Sequence, residues 1–197
     1  MACQCGNFEA VKCLLSHEAI EVDMKDKNDD TPLHEACLHG QMKIVKQLLQ
    51  KMKEKGIMKI NISNKSGLTP LHLACREGHS SIVEILLNHC DSDCSGSITA
   101  EDVEGATPLH HACQNGRENN AAIVQMLMKY EETSIFARKQ SGITPIHIAA
   151  QYGHTSVMKV LLEGNHYAVH AKDDFNQTPM HFAAEYGQIK MIELLHK

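Results

Sequence analysis

The chain has no tryptophan, and phenylalanine and tyrosine together make up only 4% of its 197 residues. Large rings usually fill a globular core or line a ligand pocket, so their scarcity means that something else organises this protein. Long apolar runs are also missing. None approaches the roughly 18 residues that a membrane helix needs, and the first residues form no charged-then-apolar leader. Direct membrane insertion of this segment is therefore not expected. A basic excess is absent too: 19 lysines and arginines stand against 24 acids, for a net charge of -5. A general nucleic-acid binder would carry the opposite balance. No glycine-rich phosphate loop, Gly-x-Ser-x-Gly or His-Glu-x-x-His occurs, so the chain reads as a non-enzyme. Its length suits one large domain or two small ones, with enough chain to bury a core without disulfides.

What the sequence has instead is a repeat. Thr-Pro recurs at Thr31-Pro32, Thr69-Pro70, Thr107-Pro108, Thr144-Pro145 and Thr178-Pro179, at intervals of 38, 38, 37 and 34 residues. An apolar residue and then a histidine follow each time, giving His34, His72, His110, His147 and His181. Two residues later stands an alanine (Ala36, Ala74, Ala112, Ala149, Ala183), and a glycine closes each unit at Gly40, Gly78, Gly116, Gly153 and Gly187. Branched residues and Leu-Leu come next, as in Ile44-Val45 with Leu48-Leu49. Each piece has a physical task. Threonine suits a helix N-cap, with proline in the first turn where its missing N–H costs nothing. The small alanine lets helices approach closely, and glycine ends the first helix in a left-handed conformation. The branched residues then lie at helical spacing. Ala2-Cys3-Gln4-Cys5-Gly6 aligns with residues 36–40, so a partial sixth copy opens the chain.

These motifs strongly resemble the ankyrin repeat, over nearly the whole chain. The resemblance implies an α-solenoid of stacked helix-turn-helix units with β-hairpin loops. It implies one domain over residues 1–197, with a partial repeat at 1–28 and about five full ones at 29–66, 67–104, 105–141, 142–175 and 176–197. The two ends carry little polar capping, so the chain reads as a slice of a longer array, either a monomer or part of a longer chain. The resemblance further implies that the repeat histidines bond backbone between adjacent repeats. Cys37, Cys75 and Cys113 stand where other copies have Ala150 and Ala184, as small buried residues, so the His-x-x-Cys spacing does not signify zinc. Free thiols in a fold typical of reducing compartments point to an intracellular, cytoplasmic protein.

The copies differ in telling ways. Two residues before each threonine stand Gly67, Gly105 and Gly142, replaced by Asp29 and Asn176, which tolerate a left-handed turn. Three residues earlier come Asp26, Asn64, Asp102 and Asp173, but Lys139 breaks the pattern. Residues 51–59, 91–100 and 117–121 are insertions. The second reads like the calcium loop of an EF-hand, with Asp91, Asp93, Ser95, Ser97, Thr99 and Asp102 at ligand positions and Gly96 at the turn. Asp102 is shorter than the usual glutamate, no exiting helix follows, and the next hairpin also claims Asp102. Either the loop binds Ca2+ weakly, with no other cofactor expected, or it is a solvated, turn-rich insertion. Lys43, Lys46, Lys51, Lys53, Lys55 and Lys59 either meet an acidic partner or anionic headgroups, or form the solvated face of an extended helix.

The resemblance implies a protein partner held in a concave groove between hairpin tips and first-helix surfaces. Carried over by register, the groove takes Arg76, Glu77, His111, Gln114, Asn115, Gln151, Tyr152, Phe182, Glu185 and Tyr186, with Phe175 at a hairpin tip. Tyr152, Phe175, Phe182 and Tyr186 are either interface anchors or packing for a further repeat. The expected function is a non-catalytic scaffold, with divalent ions acting through the calcium-like insertion. The alternative is the cytosolic N-terminal segment of a membrane channel. Uneven spacing, long insertions and the calcium-like loop resemble the arrays of transient receptor potential channels of the ankyrin type.

Overall fold

The computed structural model describes residues 2–57, 59–89, 95–117, 119–131 and 133–196. Among these, α1 (Phe8–Leu15) belongs to the partial copy, and five helix pairs follow. They are α2 (Pro32–Leu38) with α3 (Met42–Glu54), α4 (Pro70–Glu77) with α5 (Ser80–His89), α7 (Pro108–Gln114) with α8 (Asn120–Leu127), α9 (Pro145–Gln151) with α10 (Thr155–Gly164), and α11 (Pro179–Glu185) with α12 (Ile189–Leu195). The short α6 (Ser95–Ile98) lies in the second insertion. First helices α2, α4, α7, α9 and α11 stack in one layer, and α1, α3, α5, α8, α10 and α12 in another. The molecule is thus a two-layer α-solenoid. No helix among the described residues is long and apolar enough to cross a membrane.

The layers follow from local pattern. In α3, Ile44, Val45, Leu48, Leu49 and Met52 are buried, while Lys43, Lys46, Gln47, Gln50 and Lys53 are exposed. That is one apolar stripe at helical period, facing the first-helix layer. The first insertion begins as an added turn of α3, which runs on to Glu54. Ala36, Ala74, Ala112, Ala149 and Ala183 are fully buried, where any larger side chain would push first helices apart. Buried apolar residues form one continuous cluster from Val11 to Met191.

Every first helix starts in the same way. The backbone N–H of the threonine donates to Nδ1 of the histidine three residues on, at 3.1–3.3 Å in all five copies. In four copies the histidine Nε2 lies 3.0–3.2 Å from a carbonyl of the next repeat, at Leu68, Ala106, Ile143 and Gln177. A carbonyl only accepts, so Nε2 carries the proton and Nδ1 is the bare acceptor. Nδ1 therefore also accepts from the threonine hydroxyl, at 2.8–2.9 Å. One neutral ring starts its own helix and ties down the next hairpin.

The hairpins are tighter than the sequence suggests. Among the described residues no strand forms. Each hairpin closes on a single N–H···O pair at its base, such as Asn64 to Leu68 at 2.9 Å, too little for a ladder. The acidic or amide residue instead organises the turn. Oδ1 of Asp26, Asn64, Asp102 and Asp173 each accepts two backbone N–H groups, two and four residues on, at 2.7–3.0 Å. Adjacent tips are joined by one backbone bond each: Lys65 N–H to Asn28, Val103 to Ser66, Gln140 to Glu104 and Asp174 to Ser141.

Two copies depart from this plan. Lys139 has no acceptor to offer, and Ser141 falls into the left-handed region at φ 63° beside Gly142 at φ 70°. In the third full repeat, Gly116 does not take the left-handed turn expected of it; α7 ends at Asn115 in extended conformation (φ -98°, ψ 130°). The insertion there removes the need for a tight reversal, and buried Asn120 holds the longer turn by donating to the Ala112 carbonyl at 2.8 Å.

Two stability measurements check this account. Gly67 and Gly105 share a left-handed φ (75° and 76°), yet a Cβ at Gly67 would meet backbone of Asp102 and Val103 at 2.7 Å, whereas at Gly105 the nearest atom is 3.5 Å away. By urea unfolding, Gly105→Ala should cost about 1 kcal/mol from the turn alone, and Gly67→Ala at least about twice that through the added clash. Equal losses would contradict the stacking of the tips. Lys139→Asn should restore the two turn bonds seen at Asn64 and raise stability by about 1 kcal/mol, more than offsetting the loss of a partly exposed ion pair to Glu104. A lowered melting temperature would show that the altered turn is not the weaker one.

Candidate protein-binding groove

Hairpin tips form one wall of a groove and first-helix surfaces form its floor. The floor row runs Glu35, Leu73, His111, Ile148, Phe182, each one residue after a repeat histidine. Next to it runs the row Leu38, Arg76, Gln114, Gln151, Glu185, and then His39, Glu77, Asn115, Tyr152, Tyr186. The repeat sequence keeps the helix ends constant and leaves these rows free to vary.

The expected groove residues divide into three kinds. Gln114 and Tyr152 are exposed, and the Gln114 amide donates to the Tyr152 hydroxyl at 3.4 Å; the Tyr152 ring stacks on His154. Phe175 at the tip and Tyr186 are open to solvent, 72% and 50% exposed. Arg76, Glu77 and Asn115 are half-buried and partly spent on each other. Arg76 Nε meets Glu77 at 3.1 Å, Glu77 also pairs with Arg117, and Asn115 Nδ2 donates to the Arg76 carbonyl at 2.6 Å. Phe182 lies on the floor row but offers little surface. It is buried against the His147 ring, with centroids 5.0 Å apart, because its floor position points into the stack.

The groove deepens into a cavity of about 530 Å3 at its centre, lined among others by Arg76, His111, Lys139 and Tyr152. At its floor His111 Nε2 donates to Asp102 Oδ2 at 2.9 Å, while Asp102 Oδ1 takes the N–H groups of Glu104 and Ala106. Burial opposes the charge on Asp102, but the bonds from Ala106, His111 and Glu104 outweigh it and hold its carboxyl below the usual range. Burial likewise holds His111 neutral, against the pull of Asp102. This pair was not foreseen. Its signal was present: only in this copy does a histidine at the floor position stand in register with a hairpin aspartate.

The calcium reading fares differently at each residue. Asp91 and Asp93 lie outside the described residues, as does the side chain of Ser95. Residues 95–98 form the short α6, in which Ser97 is buried; Thr99 is exposed. Asp102 spends both carboxylate oxygens on the hairpin and His111, so its claim as the closing ligand meets competition from three hydrogen bonds. The His-x-x-Cys pairs hold no metal set, since four of the repeat histidines have both nitrogens engaged. Burial pushes the thiols of Cys37, Cys75 and Cys113 far up, leaving them protonated. One acidic convergence went unnoticed in the sequence: carboxylates of Asp26, Asp30 and Glu35 come within 4.8 Å of one another in the first full repeat.

A further set of bonds stitches the floor together. The His79 ring donates to the Leu38 carbonyl, His154 to Gln114 and the Gln188 amide to Gln151. Asn115 plays the same part for Arg76 where the turn is lengthened. Each donor reaches back to the end of the preceding first helix, where carbonyls lack helical partners.

The family model described as ankyrin repeats (3 copies) matches the chain over residues 1–59, 53–136 and 117–197. No curated protein matches it.

The buried histidines make stability depend on pH in a definite direction. Burial lowers His34 and His147 below the ordinary imidazole value and takes His72 and His110 down to about 4. Above about pH 6.5 both folded and unfolded rings are neutral and stability is complete. As pH falls toward 4, the unfolded chain takes up protons that the folded chain refuses, so stability is lost. His72 and His110, both essentially inaccessible, each contribute on the order of 3 kcal/mol to that loss. Urea midpoints should therefore drop steadily from pH 7 to 4.5; a flat profile would contradict the neutral buried rings.

Proposed function

The chain belongs to the ankyrin repeat family, and on that premise we propose that it is a non-catalytic scaffold that holds a segment of a partner protein in the groove between its hairpin tips and first helices. Repeats of this family are generally protein–protein interaction modules. What supports the groove in this chain is the contrast along each first helix. In four of the five copies the threonine and histidine that hold the stack are buried and both ring nitrogens are bonded, whereas Gln114, Tyr152, Phe175 and Tyr186 offer polar edges and large rings to solvent. Rings kept exposed at regular steps of a rigid scaffold are suited to anchoring a partner at low entropic cost.

The test is affinity capture from source cells with the wild-type chain and two triple variants. Phe175→Ala/Tyr152→Ala/Tyr186→Ala strips the groove, and Lys46→Ala/Glu84→Ala/Lys159→Ala strips the outer helix layer. Because all six side chains are exposed, both variants should melt within a few degrees of wild type. Partner recovery should fall at least about ten-fold for the groove variant, a loss of about 1.4 kcal/mol or more, and stay unchanged for the outer one. Loss with the outer variant alone would place binding on the other layer.

A further inference from the structure

We infer that the central cavity of the groove takes a carboxylate, and so that the partner segment carries an aspartate or glutamate at the point where it crosses α7. This deepens the groove reading above and rests on it.

The inference comes from which hydrogen-bonding groups around the cavity are already used. On the acceptor side both carboxylates are engaged. Asp102 accepts from Glu104 N–H at 2.8 Å, Ala106 N–H at 2.9 Å and His111 Nε2 at 2.9 Å. Glu104 holds Lys139 at 3.0 Å. On the donor side much remains. Arg76 commits only Nε, to Glu77, and neither of its two amino groups has a partner among the described residues. Lys139 makes one contact with three protons to give. The Tyr152 oxygen accepts from Gln114, which leaves its own proton to donate. These groups line one concavity of about 530 Å3 whose floor is Asp102 and His111.

A carboxylate answers that surplus. It offers about four lone-pair sites, it matches the fork of a guanidinium, and bonds of this kind are the strong ones. A basic side chain would meet Arg76 and Lys139 as like charges, with Asp102 fully engaged and Glu104 already paired with Lys139. An apolar side chain would strip water from donors and return nothing. The Asp102–His111 pair has a positioning part in this. It fixes the third hairpin against α7 and engages both oxygens of Asp102, and the bare Nδ1 of His111 is buried out of reach of a ligand.

The probes are three fluorescein-labelled nonapeptides in which glycine alternates with glutamate, glutamine or lysine. Affinity is read by anisotropy at low salt, and location by amide shift changes in isotope-labelled protein. The glutamate peptide should bind at least about ten-fold more tightly than the other two, with shifts centred on Arg76, Gln114 and Tyr152. Arg76→Gln should weaken it at least about five-fold while leaving the melting temperature unchanged, because that side chain bonds only its neighbour. The exposed lysines of α3 are the competing site, and Lys43→Gln/Lys46→Gln/Lys53→Gln should leave binding as it was. Three results would overturn the inference: no charge preference, no effect of Arg76→Gln, or loss in the α3 variant. Equal binding of all three peptides with shifts at Tyr152 and Gln114 would reject the acidic preference and leave the groove reading standing. Shifts confined to the outer layer would reject both.

Discussion

A neutral imidazole that uses both of its nitrogens is the interaction on which this structure depends. Nδ1 turns inward to the threonine that starts its own helix, and Nε2 turns outward to a carbonyl of the next hairpin. Local and inter-repeat order are therefore set by one side chain, and neither can be lost without the other. The arrangement works only if the ring is buried and uncharged. The alanine beside it, at zero exposure, is what brings the neighbouring helix near enough for the carbonyl to be reached. Coupling of this kind passes only between nearest neighbours, the pattern expected of a quasi-one-dimensional stack.

Against that constant frame, variation gathers on the groove. The floor position one residue after each histidine carries Glu35, Leu73, His111, Ile148 and Phe182 in turn. The hairpin residue in register with it runs Asp26, Asn64, Asp102, Lys139 and Asp173. Acid meets acid in the first full copy, acid meets histidine in the third, and a ring is buried in the fifth. One scaffold thus presents a different local chemistry at each step, and the step at α7 is the one where the cavity forms.

Most of the fold was legible in the sequence because its signals repeat. The Thr-Pro-x-His box, the alanine and the hairpin Asp or Asn each serve one fixed bond, so five copies identify them. What was not legible depends on single copies. The turn at Lys139 changes because an acceptor is missing, and its effect appears one residue pair away, at Ser141 and Gly142. Gly116 looks like the other closing glycines, but the insertion after it relieves the reversal that would force a left-handed turn. Phe182 packs on the His147 ring of the preceding repeat, a contact between copies that the register within one copy does not show. The Asp102–His111 bond joins residues nine apart in sequence, across a hairpin and a helix start, and only their register reveals it. At the calcium-like spacing the competing claim of the hairpin on Asp102 was already legible, and the three hydrogen bonds at that carboxylate are its physical form.

The column of cysteines has a consequence of its own. Cys37, Cys75 and Cys113 sit one to a repeat, each sealed at zero exposure between successive first helices, and none is paired in a disulfide. Each thiol can meet an external alkylating reagent only when the layer over it parts. Labelling kinetics at the three sulfurs would therefore act as three separate clocks, timing how often each joint of the stack comes open. The protein carries a chemical record of its own breathing, written one repeat at a time.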